Sequence, residues 1–294
     1  MKEMDDNLDH EVRLWQEKLF ARSVRRKCKL RHINDLIGTA SNLSCLEVSA
    51  GDGMISSSLR SLGGSWKTAV STKAAADSIS YSLNETITLI DNCKLPFEDH
   101  AFDRLVVVDA LKGIGDDSEF IHECHRVLKN DGWVIIHETR RVPVSFVAFL
   151  RRIFGLLPVA GGARRNGYKT SELFSILKDG FDVPETIVYS NGLLETAATI
   201  GEFIQKKITH DRYWMVGEKI GQHELYRFRK LHQFATATYP LLWIFSKMEF
   251  IPGHQMIVKS RRRHWRPRLQ PKLIDGRSIA EAAINTKIGT AAPF

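Results

Sequence analysis

Residues 44–53 read SCLEVSAGDG, and residues 54–64 continue as MISSSLRSLGG. The run 45–48 is apolar apart from Glu47, which is typical of a buried central strand. Apolar residues in 54–64 then recur at the spacing of one helical face. A strand, a glycine turn and a helix begin a nucleotide-binding α/β unit, because glycines let the backbone approach a ligand and the helix N-terminus offers unpaired N–H groups. Glycine as ordinary turn punctuation is the alternative.

Two later segments favour the nucleotide-binding interpretation. Residues 95–111 read LPFEDHAFDRLVVVDAL, and residues 119–138 read EFIHECHRVLKNDGWVIIHE. Together with residues 44–53 they resemble the class I S-adenosylmethionine-dependent methyltransferases, in particular the branch with an LPF-x-D-x-x-FD stretch and an RVLKPGG-like turn. The resemblance covers about residues 43–188, with separate segments in the family's order.

The resemblance implies an α/β, Rossmann-like class I methyltransferase fold. We expect a seven-stranded, mostly parallel sheet with helices on both faces and a helical insertion before the last strand. The expected divisions are an N-terminal helical cap (1–40), a cofactor-binding domain (41–190), a helical insertion or lid (191–253), a last strand (254–260) and a basic, flexible tail (261–294). Aromatic residues are dense in the insertion, which indicates a packed lid. The alternative is a lid that also forms an apolar acceptor pocket or dips into a membrane interface.

The resemblance also implies S-adenosylmethionine as the cofactor. The positions that match the family's cofactor site are Glu47, Ser49, Gly51, Gly53, Ser71, Asp91 and Asp109. Ser49 replaces the family's first glycine, and Ser71 stands where the family places an acid that holds both ribose hydroxyls. A serine makes weaker, neutral hydrogen bonds there.

These two departures leave a second hypothesis open, a catalytically degenerate binding or scaffold protein. A dinucleotide-dependent oxidoreductase is a third hypothesis. It is disfavoured because no acid ends the second strand to hold a ribose. The leading function is methyl transfer to a small, apolar or lipid-like acceptor.

Residues at the end of the predicted fifth strand are candidates for catalysis. His137 and Glu138 end this strand, in the crevice where open α/β sheets bind ligands, and are candidate bases. Arg140 and Arg141 follow as a candidate anion clamp for the substrate. A core histidine and two solvated arginines are the alternative. No metal site is expected, because the spaced pair His122 and His125 lacks a further ligand.

The amino-acid composition limits the classes of binding partner and the cellular compartment that we expect. The chain has 294 residues, a formal net charge of +8 and a pI of about 9.3, which favours anionic partners. The four cysteines show no paired spacing, and the first residues lack the regions of a signal peptide, so we expect a cytoplasmic protein. Nucleic acid is an unlikely partner, since no RNA-binding module is evident, and the sequence leaves the oligomeric state open.

Two basic segments suggest peripheral contact with an anionic membrane. The first lies in residues 22–31, behind a predicted amphipathic helix over 8–24. Its alternatives are a helix that covers the cofactor and a solvated helix surface. The second lies in residues 259–268, where Trp265 is interleaved with basic side chains; we expect it to attach the protein together with Trp243, or else to be a solvated tail.

Overall fold

The computed structural model describes residues 2–51, 53–142, 145–157, 163–208, 225–248 and 253–266. Within them, seven strands form one sheet in the order β3-β2-β1-β4-β5-β7-β6. The strands are β1 (Ser44–Ser49), β2 (Ser65–Val70), β3 (Thr88–Leu89), β4 (Phe102–Val108), β5 (Leu128–Thr139), β6 (Phe181–Asn191) and β7 (Gly253–Arg262). Only β7 pairs antiparallel, with both β5 and β6. The expected seven-stranded, mostly parallel sheet is therefore confirmed.

Helices cover both faces of this sheet. They are α1 (Lys2–Ala21), α2 (Val24–Ile37), α3 (Met54–Arg60), α4 (Lys73–Leu83), α5 (Asp117–Val127), α6 (Phe146–Ile153), α7 (Thr170–Leu177), α8 (Gly192–Ile208) and α9 (Leu225–Phe245), with a short 3-10 helix at Leu111–Gly113. Helices α8 and α9 lie between β6 and β7, where the helical insertion was expected. None of the described helices is long and apolar enough to cross a membrane.

The alternation of side chains along the strands gives two cores. On one face, Val134 and Ile136 of β5 pack with Phe120 of α5 and Leu173 of α7. On the other face, Ile135 packs in a cluster with residues of α2 and α3. Because successive strand residues point to opposite faces, one strand supports both layers.

The N-terminal helices differ from the expected pattern. A single helix over 8–24 was expected, but α1 ends at Ala21 and α2 begins at Val24. Ser23 separates them, and its side chain accepts a hydrogen bond from the backbone N–H of Arg26. Serine is a strong N-cap because its hydroxyl satisfies a backbone donor that has no partner in the first turn. The side chains at 2–10 and 12, including two of the expected apolar positions, lie outside the described residues.

The start of the expected tail is packed against the domain. Strand β7 continues to Arg262, whose guanidinium donates to the carbonyl of His125 at 2.8 Å. The indole of Trp265 lies against the rings of His122 and His125, with centroids 4.7 and 5.1 Å apart. Residues 261–266 are therefore not a flexible tail, and the partly exposed Trp265 is held against α5. Residues 267–294 lie outside the described residues.

Candidate active site

Three neighbouring strands end at one edge of the sheet, where the cofactor was expected. Strand β1 pairs in parallel with β2, and β2 with β3, so their carboxyl ends lie side by side. They lead into Gly51, Ser71 and Asp91, respectively. Ser71 and Asp91 are exposed and Gly51 is half-buried. This edge can therefore present a backbone turn, a hydroxyl and a carboxylate to one ligand.

The two glycines of the turn, Gly51 and Gly53, differ in whether the fold requires a glycine at that position. A Cβ on Gly53 would lie 2.8 Å from the Cβ of Ser82, and its φ of +84° is strained for other residues. The fold itself therefore requires Gly53, which contacts α4. A Cβ on Gly51 would meet only the hydroxyl of Ser49, at 3.5 Å. The open space over Gly51 fits a cofactor that approaches the backbone closely.

Ser49 and Glu47 support this turn from below. Ser49 is buried, and its Oγ accepts a hydrogen bond of 3.2 Å from the N–H of Gly51. Glu47 is fully buried and accepts hydrogen bonds from Ser56 at 2.6 Å and Thr68 at 3.2 Å. Burial raises the pKa of Glu47, although these hydroxyls oppose the rise. These contacts within the protein hold the turn in place. The expected cofactor contact by Glu47 and Ser49 stays a prediction.

Asp109, at the end of β4, lies between two lysines. Lys29 of α2 bonds to Oδ2, and the Nζ of Lys112 lies 3.4 Å from Oδ1. Burial alone raises the pKa of Asp109, but Lys112 and Lys29 together hold it well below the ordinary value. About a quarter of the side chain remains exposed (24%). Asp109 is therefore a charged carboxylate that ties α2 to the sheet edge.

His137 faces Asp109 but has no exposed surface. Its Nδ1 lies 3.3 Å from Oδ1 of Asp109, and its Nε2 pairs with the hydroxyl of Tyr189 at 2.8 Å. Burial and the charge of Lys29 lower the pKa of His137 to about 4, so the ring is neutral near pH 7. This geometry favours a positioning role for His137, with Tyr189 between it and α2.

Glu138 points to the opposite face of the sheet and is also fully buried. Its Oε1 accepts a hydrogen bond of 3.3 Å from the N–H of Lys112, whose Nζ lies 4.0 Å from Oε2. Burial raises the pKa of Glu138 to about 7, and the charge of Lys112 opposes only part of this rise. Lys112 therefore stands between two carboxylates, Asp109 and Glu138.

The two arginines after β5 are engaged within the protein. Arg140 donates to the carbonyl of Gly253 at 2.9 Å. Arg141 forms an ion pair with Glu172 of α7. The expected anion clamp would have to break these contacts, so the structure gives no support to it. Among the described residues, no cluster of His, Cys, Asp or Glu could hold a metal ion.

A buried ionic network lies beside this edge and was missed from the sequence. Glu195 of α8 has no exposed side-chain surface and contacts Arg25 of α2 at 3.3 Å and Arg151 of α6 at 3.0 Å. Ser190 and Gln255 also donate to it. The spacing of Arg25 and Lys29, one helical turn apart, was a signal available in the sequence. The interpretation of residues 22–31 as a solvated surface is wrong for these two side chains.

A large apolar groove opens where α1 and α2 meet α8 and α9. Its volume is about 490 Å³. Large apolar side chains on its walls include Leu19, Leu194, Ile204, Phe228, Phe234 and Leu242. Arg25 is one of the lining residues. Lys29, one turn further along α2, contacts Asp109, so α2 connects the groove with the charged edge of the sheet.

Comparisons with known proteins agree with this arrangement. Residues 46–136 match a family model described as a methyltransferase domain. A ubiquinone biosynthesis O-methyltransferase of Nitrosomonas europaea is 26% identical over 154 residues, which span 49% of this chain and 66% of the relative. The ubiquinone/menaquinone biosynthesis C-methyltransferase UbiE of Citrifermentans bemidjiense is 35% identical over 72 residues, spanning 24% of this chain and 31% of the relative. The matches thus span less than two thirds of these relatives.

A solved structure shows the same fold. The [4+2]-cyclase SpnF aligns with a TM-score of 0.53 at 15% identity, covering 81% of this chain and 80% of that chain. This similarity confirms the class I, Rossmann-like fold. It says nothing of the reaction, because proteins of one fold carry out different chemistry.

Proposed function

The chain belongs to the class I S-adenosylmethionine-dependent methyltransferases, and from this premise we propose that it transfers a methyl group from S-adenosylmethionine to a small, lipid-like acceptor. S-adenosylmethionine, the cofactor of this family, supplies an electrophilic methyl group on a sulfonium. The single observation that carries the proposal is the juxtaposition of Gly51, Ser71 and Asp91 at adjoining strand ends. Gly51 supports it most directly, since neither backbone conformation nor packing requires glycine there.

The cofactor contacts follow from this edge. The backbone at Gly51 would approach the cofactor closely, Ser71 would bond a ribose hydroxyl, and Asp91 would accept from the adenine amino group. Ser71 offers one neutral hydrogen bond where a carboxylate would offer two charge-assisted ones. We therefore expect weaker cofactor binding than an acid at this position would give.

The groove supports an acceptor with an apolar tail. Two relatives are named for ubiquinone and menaquinone biosynthesis, and such quinones carry a polar ring on an isoprenoid chain. The groove of about 490 Å³ would hold the tail, and the ring would lie at the sheet edge beside Asp109 and Lys112, to which α2 connects the groove through Lys29. Binding a tail in an apolar groove removes apolar surface from water, at about 25 cal/mol per Å².

The residues divide into those that can contact an acceptor and those that cannot. Asp109 and Lys112 keep 24% and 19% of their side chains exposed, whereas His137 and Glu138 keep none. We assign acceptor contact to Asp109 and Lys112 and positioning to the buried pair. Alignment of the acceptor nucleophile with the methyl carbon can lower the barrier by about 7–11 kcal/mol. Positioning of the acceptor against the methyl carbon is therefore the main contribution of the protein to catalysis in this proposal.

Calorimetric titration of S-adenosylmethionine and S-adenosylhomocysteine tests the cofactor site. Wild-type protein should bind both, and Gly51→Ala should lower both affinities because the added methyl group occupies the space of the cofactor. The matched variant Gly201→Leu, in the groove wall, should bind both as wild type does. Unchanged affinity in a folded Gly51→Ala protein would overturn the assignment of this site.

Methylation assays with different acceptors test whether the groove binds the apolar tail of the acceptor. Quinols that share one ring but differ in isoprenoid length should be methylated more efficiently when the tail is long. Gly201→Leu should lower kcat/KM for the long-tailed acceptor about tenfold and leave the short one unchanged, since the loss corresponds to about one or two buried methylene groups. Cofactor binding without any methylation would favour the degenerate binding protein, and NAD binding would favour the oxidoreductase.

A further inference from the structure

Helix α6 presents an apolar face that the described part of the chain leaves exposed. Phe146, Phe149 and Ile153 have exposed fractions of 64%, 58% and 61%, among the highest of the large apolar residues described. Their spacing of three and then four residues places them on one side of the helix. The rings of Phe146 and Phe149 stack on each other, with centroids 6.4 Å apart. A continuous exposed patch of this kind marks an interaction surface.

The opposite side of α6 fixes this orientation. Val147 is buried, and Arg151, four residues later, reaches the buried carboxylate of Glu195 on α8. Just beyond the helix, Phe154 stacks on Phe203 of α8, with centroids 4.3 Å apart. An ion pair and a ring stack therefore hold α6 to α8 along one side. The three exposed residues cannot turn inward without breaking these contacts.

The chain segment that contains α6 carries charges of one sign. Residues 139–171 contain no Asp or Glu but six arginines and one lysine. Arg152 is exposed beside Ile153, and Lys207, exposed in the last turn of α8, lies over the ring of Phe203 at 5.7 Å. The patch therefore combines aromatic side chains with a basic border. This composition complements an anionic lipid surface, where apolar groups insert and cations meet headgroups.

We propose that α6 is the membrane-docking helix of this protein, with Phe146, Phe149 and Ile153 inserted into an anionic phospholipid bilayer and Arg152 at the headgroups. The proposal goes beyond methyl transfer and does not depend on it. It replaces the surface suggested by the sequence, because Trp265 packs on His122 and His125. The exposed Arg152 beside Ile153 favours lipid over a second copy of this chain, because pairing of the same two faces would bring like charges together.

Co-sedimentation with vesicles tests the proposal. Full-length protein should sediment with vesicles of phosphatidylcholine and phosphatidylglycerol at low salt, and less with phosphatidylcholine alone or at high salt. Phe146→Ser with Phe149→Ser should lower the partition coefficient at least about tenfold, because two aromatic side chains no longer enter the bilayer. Arg152→Gln should lower it about fivefold, the effect of one cation near an anionic surface.

The matched control is Phe174→Ser, which removes an exposed phenylalanine (47%) from α7 beside Glu172. It should sediment as wild type does, and circular dichroism should show that all variants are folded. Equal sedimentation of the Phe146/Phe149 variant and wild type would overturn the proposal, as would wild type that stays in the supernatant with both vesicles. A wild-type dimer that the same double variant dissociates would also overturn it, by assigning the face to self-association.

Discussion

At the scale of single residues, Gly51 and Gly53 separate a requirement of ligand binding from a requirement of folding. Gly53 has a positive φ and touches Ser82, so its glycine is needed to fold. Gly51 has neither constraint, because a Cβ added there would meet only the hydroxyl of Ser49, at 3.5 Å. The same glycine turn thus contains one glycine that the fold requires, Gly53, and one that leaves room for a ligand, Gly51.

Ser71 gives the first prediction at this scale. Ser71→Asp should tighten S-adenosylmethionine binding about fivefold, because a charge-assisted bond to a ribose hydroxyl replaces a neutral one. Ser71→Asn is the control, since it has a similar shape without the charge and should change affinity less. Calorimetric titration measures both variants. Weaker binding by Ser71→Asp would mean that the ribose is held elsewhere.

Glu138 gives a prediction about pH. Its folded pKa, about 7, lies above that of the unfolded chain, so it loses its proton first in the unfolded state. The buried Glu138 therefore lowers the free energy of unfolding progressively as pH rises from about 4.3 to 7. Glu138→Gln should be more stable than wild type by about 1–3 kcal/mol near pH 8, and this difference should vanish near pH 4. Urea unfolding at both pH values measures it. A destabilised variant near pH 8 would show that Lys112 needs the charged carboxylate.

At the scale of elements, α2 connects the sheet edge to the insertion. Lys29 bonds to Asp109 at the end of β4, and Arg25, one turn earlier, bonds to Glu195 and Glu202 on α8. The basic residues of α2 therefore join elements that are distant in the chain. This is why a stretch that resembles a solvated surface in the sequence becomes structural in the fold.

Glu195 gives the prediction for this connection. Burial raises its pKa, but Arg25 and Arg151 together lower it below the ordinary value. Such a group stabilises the fold above the unfolded pKa, and this contribution is lost as pH falls through the lower folded value. Glu195→Gln should therefore cost about 3–5 kcal/mol near pH 7, with less difference in acid. Glu202→Gln, at a partly exposed site, should cost less than about 1 kcal/mol in the same guanidinium titrations. Equal losses would contradict the assignment.

At the scale of the whole molecule, the residues after β7 close the domain. Arg263 is bound to the domain by two contacts. Its guanidinium lies 3.4 Å from the carboxylate of Asp182, and its backbone N–H donates to the carbonyl of Gly180. Trp265 packs so closely on Gly180 that a Cβ there would lie 2.3 Å from the indole. Residues 263–266 thus join α5 to the start of β6.

Trp265→Ala should therefore lower the free energy of unfolding by about 1–2 kcal/mol, since a half-buried indole loses its contacts with His122 and His125. Trp243→Ala is the control, because Trp243 is half exposed and should change stability by less than about 0.5 kcal/mol. Thermal unfolding measures both. An unchanged midpoint for Trp265→Ala would mean that this segment is only loosely docked.

The sequence by itself determined the order of the elements and the place of the cofactor edge. The apolar runs around Val48, Val107 and Ile135, and the glycine turn after β1, are local patterns that depend on residues a few positions apart. Strand β3, at one edge of the sheet, is short and spans only Thr88–Leu89. The positions of Ser71 and Asp91 followed from the strands that precede them.

Only the tertiary structure decided what the charged side chains do. Lys29 meets Asp109 across 80 residues of chain, and Arg25 meets Glu195 across 170. No local pattern specifies such pairs, because they form when packing removes each charge from water and leaves one partner of opposite sign within reach. For the same reason the buried state of His137 and Glu138, on which we base their proposed positioning role, depends on the layers that fold over β5.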